Sequence, residues 1–219
     1  METARVTRVD LPGHGRSPAT AYTLEALADT LADLCPAPVT AIGWSLGALA
    51  VLTLAQRHAA RVRGMVLLGA TPRFVSALDW PCAVDAALLR QFAANLGQDY
   101  RGTLSRFLSL QLGSAGAERG LLKELRASVL GQAAPSPAGL RTGLAILEQT
   151  DLRPILPTLD APALIIHGGR DRLVPPAAGA YLAAALPRAR LHELPHAGHA
   201  PFLSDAVECV RQTRAMIDG

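Results

Sequence analysis

Aromatic residues make up only 4% of the 219-residue chain, so a core of any size must be built from leucine, alanine and valine. Cysteine is equally sparse: Cys35, Cys82 and Cys209 are odd in number, and no two stand in a C-x-x-C spacing. That argues against a disulfide framework or a zinc knuckle and fits a reducing compartment. No stretch approaches the ~18 consecutive apolar residues of a membrane span. The opening METARVTRVD lacks the apolar centre of a secretory leader. Lysine is scarce beside arginine, and there is neither a basic tract nor an interleaving of aromatic and basic residues. A formal net charge of +3 therefore carries no nucleic-acid footprint. Repeats and low-complexity segments are missing too. These absences lead to the expectation of a cytoplasmic protein that binds neither membrane nor nucleic acid; a monomer is expected, although the sequence does not give the oligomeric state.

What is present suits a globular chain with a substantial core: half of the residues are hydrophobic and 18% are charged. Strand-like and helix-like segments alternate, which predicts an α/β fold around a mostly parallel sheet. Strands are expected at Ala4–Val9, Val39–Ile42, Met65–Leu68, Ala163–His167 and Arg190–Leu194. Helices are expected at Leu24–Leu34 with Thr23 as N-cap, at Leu46–His58, at Ala177–Leu186 and from Ser204 to Ile217. Between residues 76 and 150 the periodicity is purely helical, at Val84–Leu96, Gly102–Leu112, Glu118–Leu130 and Pro137–Gln149. An all-helical insertion between two strands reads as a cap, so residues 1–75 and 151–219 are expected to form the core and 76–150 the lid.

The most informative stretch is Gly43-Trp44-Ser45-Leu46-Gly47, a G-x-S-x-G motif between a buried-strand signal and a helix signal. In that context the serine sits on a strained strand-to-helix turn, and the glycines two positions away keep the turn clear. The helix start brings partial positive charge, and the N–H of Leu46 becomes a candidate oxyanion donor. A serine hydroxyl needs a base, and the base needs an orienting acid. With the chain order Ser, acid, His, the base falls in the loop after the last strand, Pro195-His-Ala-Gly-His-Ala-Pro-Phe202. His196 opens that loop and reads as solvated, whereas His199 lies deeper and is the expected base. Asp171 follows strand Ala163–His167 in Gly168-Gly-Arg-Asp-Arg, where sites of open α/β sheets collect. An alternative for Asp171 is a turn residue paired with Arg170 or Arg172; Asp151 and Asp160 are weaker acids because neither follows a buried strand.

The ordered motifs DLPGHGRS, GWSLGALA, GRDRLVP and HAGHAPF resemble the α/β-hydrolase superfamily across nearly the whole chain. Within it the chain is similar to the esterases that cleave the methyl ester of pimeloyl-acyl carrier protein in biotin synthesis. The residues that carry this likeness are Gly43 to Gly47, Trp80-Pro81, Arg106 to Gln111, Gly143 to Leu147, Asp151-Leu152-Arg153 and His199 to Phe202. The resemblance implies a Ser-His-Asp carboxylesterase with no metal or organic cofactor. It also implies an acyl channel lined by Trp44, Phe107, Leu110 and Gln111, although Phe107, Leu108 and Leu110 read equally as cap-helix core. Arg101, Arg106, Arg119, Lys123 and Arg126 would give the cap a basic face for an acidic carrier protein, against Glu118 and Glu124. Other hydrolases of the same fold remain open at this point: a short-chain carboxylesterase, a lactonase or a carbon–carbon hydrolase. So does a non-catalytic module. A haloalkane dehalogenase is disfavoured, because it needs aspartate where Ser45 stands. One departure from the family pattern stands out: no HGxxG loop occurs, and the chain begins at what resembles the family's fourth strand. The expectation is that the N-terminal strands are missing and that the strand before Ser45 has an open edge.

Overall fold

The computed structural model describes residues 5–35, 37–112, 131 and 134–218. Four strands form one parallel sheet in the order β1-β2-β3-β4: β1 (Val39–Trp44), β2 (Val62–Leu68), β3 (Ala163–Gly168) and β4 (Ala189–Leu194). The register pairs Trp44 with Leu68, Leu68 with Ile166, and Gly168 with Leu194, so the carboxyl ends of the strands lie level. Parallel strands buried on both faces need continuous apolar runs, as Met65-Val-Leu-Leu and Ala163-Leu-Ile-Ile provide. Their side chains divide by the two-residue period. Met65, Leu67 and Ile165 join one core with Val51 and Leu52 of α2 (Leu46–Arg57) and Ala28 of α1 (Leu24–Asp33). Val66, Leu68, Leu164 and Ile166 join the other, which includes Cys209.

Local signals fix the helix ends. Thr23 Oγ1 accepts from the Ala26 N–H at the start of α1, as expected of an N-cap. Between β2 and β3 lie α3 (Ala86–Gln98), α4 (Tyr100–Leu112) and α5 (Pro137–Gln149), with Asp85 capping α3 and Ser136 capping α5. The helix expected at Glu118–Leu130 lies outside the described residues. After β3 come α6 (Pro176–Ala185), α7 (Pro201–Ser204) and α8 (Ala206–Asp218). The helix expected from Ser204 is thus divided, with Pro201 opening a short first turn that ends before Asp205.

One expected strand does not form. Residues 5–10 have no ladder partner, Val6 is 78% exposed, and β1 is hydrogen-bonded to β2 alone among the described residues. An extended segment becomes a strand only when a neighbour takes up its N–H and C=O groups, and none does among the described residues. The segment instead leads into a turn held by His14 N–H on Leu11 O and Ser17 N–H on His14 O. Gly13 O of that turn accepts from Ser136 N–H at 2.7 Å, which ties it to the start of α5.

The two ends of the helical insertion are clamped together. Asp151 accepts from Arg73 at 2.9 Å and from Arg153, whose guanidinium also meets Asp79 and lies 5.3 Å over the Trp80 ring. The Trp80 indole N–H donates to Arg73 O at 2.9 Å. The Arg153 hydrogen bonds hold the Asp151 carboxyl below the usual carboxylate range. Replacing Asp151 with alanine leaves two partly buried guanidinium groups without their shared acceptor. The expected cost is about 1.5–3 kcal/mol in a urea unfolding titration, and a change within error would show that the clamp is dispensable.

Candidate active site

The carboxyl ends of β1, β2, β3 and β4 bring the sequence-selected groups to one end of the sheet. Ser45 follows β1 directly and has φ 52° and ψ −118°, the one non-glycine positive φ among the described residues. Such a conformation costs on the order of 1–3 kcal/mol and persists only where the surroundings impose it. Here Ser45 N–H donates to Leu68 O at 3.1 Å and α2 begins at the next residue. Gly43 is buried, and a Cβ there would run into the Gly47 carbonyl. Gly47 differs from the sequence expectation: a Cβ on it would meet nothing within 4 Å, so the turn needs only the first of the two glycines for space. Leu46 is the first residue of α2, and its N–H lies among those that have no intrahelical acceptor.

Asp171 and His199 form a fully enclosed pair. His199 Nδ1 lies 2.7 Å from Asp171 Oδ2, and both side chains have 0% exposure. The other carboxylate oxygen accepts from the N–H groups of Leu173 (2.9 Å) and Val174 (2.8 Å). Neither Arg170 nor Arg172 is its partner; Arg170 instead reaches exposed His196 at 3.2 Å. Because an ionised carboxylate only accepts, Nδ1 of His199 carries the proton and Nε2 is left with its lone pair. That Nε2 is buried and, among the described residues, bonds to no other group, Ser45 included. The loop that carries His199 is laced to the loop that carries Asp171 by Arg170 N–H on Ala197 O and Gly169 N–H on Leu194 O. It also presses on the end of β2, where Gly69 (φ +50°) is required because a Cβ would lie 2.6 Å from His199 O.

A second buried histidine was legible only as a strand-end residue. His167 has 0% exposure, its Nε2–H donates to Val174 O at 3.0 Å, and Nε2 stands 3.5 Å from Asp171 Oδ2. It closes the 171–174 turn whose N–H groups hold the acid. Of the other expected site residues, Trp44 is 37% exposed and its indole N–H is bonded to His199 O. Phe107 is half-buried and tilts against Phe92 of α3 at 5.5 Å, and Leu108 is buried. Arg101 is exposed, and exposed Arg106 is partly offset by Asp99 at 3.9 Å. Arg119 and Lys123 lie outside the described residues, as do the side chains of Leu110 and Gln111. Among the described residues, no group of three or more His, Cys, Asp or Glu side chains is arranged to hold a metal, and no helix is long and apolar enough to cross a membrane.

This arrangement agrees with comparison against known proteins. The family model described as alpha/beta hydrolase fold matches residues 2–206. The chain belongs to the α/β-hydrolase family. A pimeloyl-[acyl-carrier protein] methyl ester esterase of Xanthomonas oryzae is 48% identical over 206 residues, which cover 90% of this chain and 78% of the relative. The namesake enzyme of Nitrosomonas europaea is 42% identical over 201 residues, covering 91% and 80%. Among solved structures, an esterase of Exiguobacterium antarcticum superposes with a TM-score of 0.86 at 22% identity, covering 96% of this chain and 80% of that one, a likeness of fold. In this α/β hydrolase the fold therefore carries Ser45, Asp171 and His199 in the superfamily's chain order.

Two outcomes test the local readings. Gly43→Ala should destabilise by about 1–3 kcal/mol through overpacking, while Gly47→Ala should be neutral or stabilise by up to ~1 kcal/mol; equal effects in denaturant titrations would contradict the asymmetry. Burial pushes the His167 pKa down, so the unfolded chain takes up a proton near pH ~6.5 that the folded chain refuses. Stability is therefore retained above that pH and declines as pH falls from it toward the lower folded pKa. Melting temperatures between pH 7.5 and 5.5 should fall less steeply in His167→Asn; parallel slopes would contradict this.

Proposed function

We propose that this chain is a serine carboxylesterase that hydrolyses the methyl ester of a pimeloyl chain carried on acyl carrier protein. The observation that carries the reading is the buried Asp171–His199 pair at the strand ends, tied through the Trp44 indole to the strained Ser45 turn. The relatives' names give the substrate. The Ser45 hydroxyl rotates toward His199 Nε2, which takes its proton as the oxygen attacks the ester carbonyl. The N–H of Leu46 donates to the oxyanion, reinforced by the positive end of α2. His199 returns the proton to the departing methoxide, and methanol leaves. Water, deprotonated by the same imidazole, then frees the carboxylate while the thioester to the carrier stays intact. Asp171 holds the imidazole in one tautomer and stabilises its cationic form.

The helical insertion acts as the cap over this site. In support, Ile146 of α5 joins Leu49 in one cluster with Leu46 packed against it, so the insertion rests on the helix that begins at the nucleophile. Phe107, packed against Phe92, borders the acyl channel. Arg101, Arg106, Arg119 and Lys123 guide the acidic carrier, and a cytoplasmic monomer suits such a substrate.

Ser45→Ala should abolish methanol release and labelling by a fluorophosphonate; labelling that survives would remove Ser45 from the chemistry. Reversing the charge of Arg101 and Arg106 together should raise KM for the carrier-bound ester roughly tenfold and leave a short free methyl ester unchanged. Equal effects on both substrates would contradict carrier docking on this face.

A further inference from the structure

Trp44 stands one peptide bond before the strained Ser45, where its ring reads from sequence as a lining group for the acyl chain. The structure gives its polar edge another task. The indole Nε1–H donates to the main-chain oxygen of His199 at 2.9 Å, joining residues 155 positions apart. Its ring lies 5.6 Å from the His199 imidazole at a 46° tilt and meets Phe202 edge-on at 5.2 Å. The base occupies loop 195–200, outside any helix or strand. Its main chain is otherwise laced at Ala197, two residues earlier, through bonds to Leu194 and Arg170, and at Ala200, whose carbonyl accepts from Leu203 N–H at 2.9 Å. Trp44 therefore grips the base loop at His199 itself, from the strand that also delivers the nucleophile.

We propose that Trp44 is a positioning residue. It holds the His199 backbone against the end of β1, so that Nε2 keeps its alignment with Ser45 while Nδ1 keeps its bond to Asp171. The proposal rests on the reading of Ser45, His199 and Asp171 as a catalytic triad. The imidazole gains and loses a proton in each half of turnover, and a ring on an untethered loop would relax away from the reacting oxygen as its charge changes. A misplacement of about 1 Å can cost on the order of 10²-fold in rate. A tether made to the main chain holds the loop without competing for either ring nitrogen. A lining role and a positioning role predict different kinetics: the first raises KM, the second lowers kcat.

The test replaces Trp44 with phenylalanine, which keeps an aromatic ring beside Phe202 and removes the donor. A second variant carries benzothienylalanine at position 44, an isostere of tryptophan without the N–H, and guards against a packing defect in the first. With a short free methyl ester, kcat should fall roughly 10- to 100-fold in both variants with KM little changed. The downfield proton resonance of the His199 Nδ1–H should broaden or move, while the melting curve of the isostere stays close to wild type. Wild-type kcat with a raised KM in either variant would overturn the proposal in favour of a lining role. So would a kcat loss accompanied by an unchanged His199 resonance. Fluorophosphonate labelling of the wild-type chain separates the two levels. If wild type shows no labelling that depends on Ser45, the triad reading falls and this proposal with it. If wild type is labelled and the Trp44 variants are unimpaired, only this proposal falls.

Discussion

The hydrogen bond between Asp171 and His199 is the contact on which the rest of the site depends. A carboxylate with no exposure is costly unless every lone-pair direction is used. This one is answered by two main-chain N–H groups and an imidazole N–H, with a second histidine closing the turn behind it. Parallel β3 and β4 make the pairing possible, because they end at the same level and send both loops over the same edge. The apolar runs that allow burial on both faces therefore also determine where Asp171 and His199 meet.

Against this enclosed pair stands a strained nucleophile turn. The positive φ of Ser45 is imposed by β1–β2 pairing on one side and by the start of α2 on the other. Strain of this kind is supported by the surrounding core, where Leu49 and Leu52 of α2 are almost wholly buried. Trp44 links the two halves, since it is continuous with the strained turn and hydrogen-bonded to the base loop.

Much of this was legible in the sequence because the signals are local. The run Val39–Gly43, the G-x-S-x-G spacing and the Ser45–Asp171–His199 order predict strand, turn and helix without reference to tertiary contacts. Thr23 and the helix Pro137–Gln149 were equally readable, since a capping oxygen and an N1 proline act within one turn. What failed depends on neighbours. Residues 5–10 read as a strand but have no ladder to join among the described residues. Gly43 and Gly47 look equivalent in a motif, yet only one approaches another backbone closely. The tasks of His167 and Trp44 are set by what lies opposite them, Val174 and His199, and no pattern in the chain announces either contact.

The central claim is that ester cleavage passes through a covalent bond to Ser45. Rapid acid quench of the enzyme with pimeloyl methyl ester on its carrier, followed by intact-mass and peptide analysis, tests it directly. The account predicts a transient species in which enzyme and acyl carrier are joined through one pimeloyl chain, with methanol already lost and the ester located at Ser45. Methanol release at the normal rate with no such species, or with the adduct on another residue, would contradict it.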